Sequence, residues 1–451
     1  MPLIKSNHRR RHTEPKEPKA TQVDLEPAVE EGKEDKTDDS YARHAANHIG
    51  HALDSFDTTH RKRRYEDTPQ AQFYYREKDA KPFSLVPKRK KKKRDRHART
   101  KVAVFRYGYY DVLFKFFVEH VLDADFVELP EPTRETLASG AAISNDMICA
   151  PFKHMLGDFI EALDRGAEVL VQLSGPCRLG FYGELQEFVL RERGYDFEML
   201  NFAMLSGKPL QDYLKECQRK VNPNMSIANG VKGMLGLFKM LESLDNYHDY
   251  YLEHAGFETI PHSFEKAEQR FLSAMGKAKD RHEIEMIYEE GLEELKAIDQ
   301  TIPADPIRVG LLGDFYTAVD PASNLYLEKK LEGMGVSLSR LMNLSTRIVH
   351  YNEKALRASV PEYVTYDMGP TSTMNIAAAK DYAERGYDGL IHMKSAGCTP
   401  EIDCVPILQR ISRDYGIPVL FLSYDSQTSD TGLNTRLEAF YDMIAMRKAR
   451  S

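Results

Sequence analysis

Cysteine is scarce in this 451-residue chain, with five residues in all: Cys149, Cys177, Cys217, Cys398 and Cys404. The count is odd, and the N-terminus MPLIKSNHRRRHTEPKEPK lacks the apolar middle of a secretory signal, so no disulfide framework is indicated. No stretch approaches the roughly 20 apolar residues that span a bilayer, and a cytoplasmic protein with no membrane contact is expected. Neither GxGxxG nor GxxxxGK(S/T) occurs in a strand–loop–helix setting, so no dinucleotide or ATP site is indicated within the chain. No CxxC pair or paired histidines mark out a compact zinc site.

What is present is unevenly distributed. Hydrophobic residues make up 42% and charged residues 29%, as in a globular body carrying a polar appendage. The length suffices for two or three domains. Residues 1–100 hold 25 Lys/Arg against 17 Asp/Glu, a net of +8, so the rest of the chain is far more acidic than the overall −7 suggests. Residues 1–99 have no sustained apolar period and read as a disordered charged arm. The arm closes on the like-charge run Lys88-Arg89-Lys90-Lys91-Lys92-Lys93-Arg94. A solvated tail and a polyanion-binding arm both remain open for it.

Folded sequence begins at Lys101-Val102-Ala103-Val104-Phe105, a buried-strand pattern, followed by helical spacing over 109–122 and a second strand over Asp125–Leu129. Residues 147–149 read as a short strand end, and Pro151 suits the first turn of a helix reaching about Leu163. Then come the strand AEVLVQL (167–173), a Gly-rich loop and the helix ELQEFVLRER. Between 201 and 302 helical periods dominate, as in 230–244 and 282–298. The strand–helix rhythm resumes with 307–313, Asp388–Met393 and 417–425, and a terminal helix covers 435–448. The expected fold is α/β. It has two parallel-sheet lobes (100–200 and 303–451) with strand-to-helix cysteine loops, joined by a helical connection (201–302) after the arm (1–99).

Three cysteines share one kind of address, a strand-to-helix loop: Cys149 in DMICAPFKHMLGDF, Cys177 in SGPCRLGFYGEL and Cys398 in KSAGCTPE. In open parallel sheets, ligands bind beyond the carboxyl ends of the strands. Gly175 and Gly397 permit close backbone approach, and Pro151, Pro176 and Pro400 stiffen the turns. Helix N-termini, with Arg178 and Lys153 nearby, would favour thiolate. From spacing alone, buried structural cysteines, an iron–sulfur cluster, zinc and a reactive thiol all stay open.

The segments SNDMICAPFKHMLGDFIEAL, SGPCRLGFYGEL, DGLIHMKSAGCTPE and IPVLFLSYD…TRLEAF resemble the D-component family of 2-hydroxyglutaryl-CoA dehydratase, over roughly residues 101–446. The nearest likeness is to its activase-associated branch. The resemblance implies a [4Fe-4S] cluster held by Cys149, Cys177 and Cys398, with one iron open to water, sulfide or substrate. It further implies a separate ATP-dependent activase that delivers one electron, and an acyl-CoA substrate dehydrated through a ketyl radical. Two related subunits meet in such dehydratases, so a homo- or heterodimer is expected. A double-cubane cluster protein that reduces small molecules is the alternative. A non-catalytic electron-transfer or assembly protein is a third reading.

Other positions carry paired readings. Cys404 is either a further metal ligand or a packed helix residue, and Cys217 reads as an ordinary cysteine. Glu401 is an acid/base candidate or a helix-capping carboxylate. Arg178 is a candidate catalytic cation, neutralising cluster charge or holding an anion, or a loop-shaping salt bridge; Tyr182 flanks the same loop. Lys153 is an anion contact or an exposed first-turn lysine. Asp314 and Asn324 are crevice or turn residues, and Tyr424-Asp425 ends the last strand facing the crevice.

Overall fold

A computed structural model describes residues 99–175, 177–203, 210–366, 368–369 and 371–450. The expected arm up to residue 98, with its basic run, lies outside the described residues. Those described fall within one unit, Ser84–Ser451.

The first sheet starts with β1 (Lys101–Val104), whose last three residues are buried. The expected helix over 109–122 is a composite. A 3-10 turn (Gly108–Tyr110) leads into α1 (Asp111–Phe116), which opens into a π turn (Phe117–Val121). Leu122 N–H reaches back five residues to Phe117 O at 3.0 Å. Then follow β2 (Asp125–Phe126), α2 (Arg134–Ala142), α3 (Ala150–Asp164), β3 (Val169–Ser174), α4 (Tyr182–Glu192) and β4 (Glu198–Ala203). All pairings are parallel, in the order β2-β1-β3-β4. Residues 147–149 are a turn between two helices rather than a strand end. Asn145 Oδ1 accepts from Met147 N–H at 2.8 Å and closes that turn before Cys149 caps α3.

The helical connection contains α5 (Leu210–Lys220), α6 (Ile227–His254), α7 (Ser263–Met275) and α8 (Arg281–Lys296). Helix α6 has 28 residues, about 42 Å at 1.5 Å per residue. A Cβ on Gly233 would sit 2.5 Å from His120 O, so the bare α6 backbone presses directly on the π turn.

The second sheet has the same winding. Its elements are β5 (Arg308–Gly313), α9 (Phe315–Val319), α10 (Leu327–Glu332), β6 (Ser337–Arg340), α11 (Leu344–Ile348), α12 (Glu353–Ser359), α13 (Ser372–Glu384), β7 (Gly389–Ser395), α14 (Thr399–Tyr415), β8 (Val419–Tyr424) and α15 (Asp430–Lys448). The strand order is β6-β5-β7-β8, again all parallel. Its two faces carry separate cores, one with Val309, Leu311 and Met393, the other with Leu312, Leu390 and Ile376. The first sheet and the connecting helices share a larger core that also takes in Tyr316 and Val319 of the second lobe. The lobes are therefore joined by packing as well as by chain.

In both sheets the winding reverses direction between the two central strands, β1/β3 and β5/β7. Such reversals leave a crevice at the carboxyl edge, because the flanking loops depart to opposite faces.

Candidate functional site

The two crevices open into one cavity of about 300 Å³. Its lining comes from the residues just past β1 (Phe105, Tyr107), β3 (Gly175, Cys177), β5 (Asp314, Phe315, Tyr316) and β7 (Cys398, Pro400), with Cys149 and Pro151 from the start of α3. Three thiols distant in sequence thus border the same space. Cys149 arrives from a helix–helix turn, whereas Cys177 and Cys398 follow strands.

Cys149 and Cys398 are held alike. Each is the N-cap residue of its helix, each has extended backbone (ψ 153° and 106°), and each is followed by Pro near the first helical position. The N–H of the third residue on, Phe152 or Glu401, is directed at the thiol and favours its ionised form. Burial works against this. It pushes the Cys149 thiol up to about 11 despite help from the Tyr182 hydroxyl, and Asp314 adds to the rise. Burial pushes Cys398 further up, with Asp314 and Glu401 contributing. As free groups these thiols are protonated at neutral pH and poor nucleophiles, which weighs against a reactive cysteine. Cys177 sits in the bend before a 3-10 turn, where its carbonyl accepts from Gly180 N–H at 2.9 Å.

Tyr182, the first residue of α4, is buried and hydrogen-bonded through its hydroxyl to Cys149 Sγ. Its ring meets Phe152 edge-on at 5.0 Å. Burial, together with Cys149, Cys177 and Cys398, raises its pKa, so it remains a hydroxyl donor among the three sulfurs.

Asp314 locks the lobe-2 side of the cavity. Its Oδ1 accepts from Thr317 N–H at 2.8 Å, capping α9, and its Oδ2 accepts from Ser395 N–H at 2.7 Å. Burial and the Glu401 charge raise its pKa to about 6 against these bonds. Ser395 Oγ accepts from Ala150 N–H at 2.9 Å, a hydrogen bond that ties the start of α3 to the end of β7 across the lobes.

Glu401 lies behind this wall, fully buried. Its Oε1 accepts from the Thr371 hydroxyl, and its Oε2 from Asn375 Nδ2 at 2.9 Å, with His392 Nε2 2.6 Å away. Thr371 lines the cavity but Glu401 does not. Cys404 is equally buried; its Sγ donates to Glu401 O at 3.3 Å and lies 3.7 Å from His392 Nε2. Among the described residues, His392, Glu401 and Cys404 form the one group whose metal-ligand atoms all lie within 4.8 Å of one another. The three cavity thiols are spread more widely.

The other expected positions divide. The Arg178 side chain lies outside the described residues. Lys153 is buried, its Nζ donating to Asp146 O at 3.2 Å, so it braces the turn before Cys149. Asn324 bonds Thr317 O and Leu327 N–H, at 3.0 and 3.1 Å, as a turn former. Tyr424 is buried without lining the cavity, and Asp425 accepts from Gln427 N–H at 2.8 Å in the turn after β8. Cys217 is buried in the larger core. Arg347, Thr371 and Ser395 were not singled out from the sequence, and Tyr316 was named only within the turn Gly313-Asp314-Phe315-Tyr316. Ser395, at a strand end three residues before Cys398, carried the clearest local signal.

Residues 261–444 match the family described as 2-hydroxyglutaryl-CoA dehydratase, D-component. No curated protein matches the chain. The D-component match begins just before α7 and ends within α15, so it contains the whole second sheet and Cys398. Cys149 and Cys177 lie N-terminal to it. Among the described residues no helix is long and apolar enough to cross a membrane.

Proposed function

We propose that the chain is an iron–sulfur subunit of the dehydratase type, acting on a 2-hydroxyacyl thioester, with Cys149, Cys177 and Cys398 as its metal ligands. The observation that carries this reading is the convergence of the three thiols on one cavity where both sheets reverse their winding. The D-component match over 261–444 supports a dehydratase reaction class on an acyl-CoA substrate, for which the cluster and activase implied by the family resemblance would supply the electron.

The donor set fits such a group. A tetrahedral zinc site with bonds of about 2.3 Å brings its sulfurs to roughly 3.8 Å from one another. The three thiols fall outside the sets that close to within 4.8 Å, and a cluster separates its ligands further than one ion does. Bound here, a [4Fe-4S] cluster would supply one-electron reduction and, with three thiolate ligands, an iron open to a substrate oxygen.

The chain's own residues then have definite tasks. The Phe152 and Glu401 amides stabilise thiolate charge, and the Tyr182 hydroxyl donates into the sulfur group. Phe105, Tyr107, Phe114, Phe315 and Tyr316 wall the space with rings and keep it dry. Asp314 holds Ser395, and Ser395 holds the first amide of α3, so the ligand-bearing loops keep their spacing. The activase would be a separate chain, and a second, related subunit would complete the dimer.

Anaerobic purification with iron, acid-labile sulfide and zinc analysis tests the proposal. About four irons and four sulfides per chain are expected. Serine at Cys149, Cys177 or Cys398 should lower iron content by more than half, whereas C217S and C404S should not. About eight irons would point to the double-cubane reductase instead. Stoichiometric zinc without sulfide would sink the proposal. With activase, ATP and reductant, the holoprotein should remove hydroxyl from a 2-hydroxyacyl-CoA. Reversible redox behaviour without turnover would leave it an electron carrier.

A further inference from the structure

We propose that Arg347 is a specificity-determining residue that holds one carboxylate on an otherwise apolar substrate body; this deepens the dehydratase reading and rests on it for the chemistry.

Arg347 lines the same cavity as the three thiols. It sits on α11, a single short turn of helix pinned from both lobes. Asn343 Oδ1 accepts from Thr346 N–H at 2.8 Å, Leu344 N–H donates to Tyr110 Oη at 2.9 Å, and Ser345 N–H donates to Asp245 Oδ2 at 2.8 Å. The guanidinium lies 3.7 Å from the centre of the Tyr351 ring. Stacking of this kind fixes the guanidinium plane and leaves its N–H edge free to bind a carboxylate. Its Nε is buried and has no hydrogen-bond partner among the described residues. No carboxylate pairs with it there either. Glu353, close in sequence, is engaged with the Tyr351 hydroxyl, Thr373 and Arg357.

The rest of the lining decides what kind of anion enters. Asp314 is the other charged residue on the wall, and both its oxygens already accept backbone N–H groups. Phe105, Phe114, Met155, Phe202, Phe315 and Ile348 supply apolar surface. One unpaired cation in such a wall matches a single negative charge, since a second would be desolvated without a partner. A cavity of about 150 Å³ takes benzene. The cluster proposed above would take part of the 300 Å³ here, so the remaining space admits no more than an apolar group of about ring size with its carboxylate, and is too small for a coenzyme nucleotide. The carboxylate is then either that of a free acid or the distal one of a thioester.

Equilibrium dialysis on the anaerobically purified full-length protein tests this with two probe pairs. 3-Phenylpropanoate is compared with 3-phenylpropanamide, and glutaryl-CoA with hexanoyl-CoA. Wild type should bind the anionic member of at least one pair roughly tenfold or more tightly, and the pair that discriminates identifies the source of the carboxylate. R347Q should bind both members of that pair equally, and R347K should retain part of the preference. Wild type that prefers neither anion, or R347Q that keeps the preference, would overturn the proposal. Iron content and urea midpoint, measured on the same samples, separate a binding defect from unfolding; should R347Q not fold, wild type and R347K carry the comparison. They also separate the two claims. A zinc-loaded chain with an Arg347-dependent preference ends the dehydratase reading alone, and an iron-loaded chain without preference ends this one alone.

Discussion

Glu401 has two carboxylate oxygens and three buried side chains depending on them. Thr371 donates to one, while Asn375 and His392 converge on the other. Removing the carboxylate leaves His392 Nε2 and one N–H of Asn375, whose amide otherwise bonds Gly313, without an acceptor at fully buried residues, whereas Thr371 lines the cavity, and each buried orphan costs about 1–3 kcal/mol. E401A should therefore lose about 3–5 kcal/mol in urea unfolding at pH 7, and a loss below about 1 kcal/mol would refute this account of the network. E401Q keeps the volume and one acceptor, so it should lose no more than about 2 kcal/mol. It also separates support from catalysis, because Glu401 reaches the cavity only through Thr371. Residual dehydration close to wild type in a folded E401Q would mark a positioning residue. A hundredfold loss with the fold intact would restore the acid/base role suggested by its place three residues after Cys398.

Helices α2 and α3 cross with their backbones almost touching, and the crossing sets where Cys149 lies. A Cβ on Gly157 would fall 2.1 Å from Thr136 O, and one on Gly140 would fall 1.9 Å from Lys153 O. Both obstacles are backbone atoms, so no rotamer change relieves them. G157A should lower stability by about 2–3 kcal/mol and shift the start of α3, with lower iron retention after gel filtration. A variant matching wild type in both would show that the crossing is slack. The same elements show what was legible in the chain. β1, β3, β5 and β7 are short apolar runs buried on both faces, and that pattern stands out in any window. β4 (EMLNFA) and β6 (SLSR) are edge strands. Their polar residues depend on tertiary partners: Arg340 is buried against Glu328 at 2.9 Å. Pro151 marked the start of α3 correctly, but the apolar triplet before it was too short to tell a turn from a strand. Arg347 left no local mark, because its place follows from the meeting of two lobes.

At the scale of the molecule, α6 is the beam between the sheets, and charge fixes it in place. His248 of α6 lies 3.3 Å from Glu268 of α7 and 3.4 Å from Glu328 of α10, and Glu328 also pairs with Arg340 of β6. One turn earlier, Asp245 accepts from Tyr109 at 3.0 Å and from Tyr110, and holds α11 through Ser345. Burial pulls the His248 pKa down, but Glu268 and Glu328 more than reverse this and lift it to about 9. The folded state thus binds a proton more tightly than the unfolded chain, where histidine titrates near 6.5. The resulting stability is complete below pH 6.5 and disappears as pH rises through 9, a difference on the order of 2–3 kcal/mol. Glu332, raised by burial to about 8, and Asp320, raised by burial to about 7, lose stability in the same direction. Wild-type behaviour alone therefore does not single out His248. The discriminating measurement is urea stability of wild type and H248Q at pH 6 and pH 9.5. The variant should be markedly weaker at pH 6 and nearly equal at pH 9.5, because the wild-type imidazole has by then lost its proton. Parallel slopes would mean that the pair of glutamates is not held by a charged histidine. Because α6 also anchors the α11 turn that carries Arg347, the alkaline loss should reach the cavity before the chain unfolds, and carboxylate binding should weaken at a lower pH than the global transition.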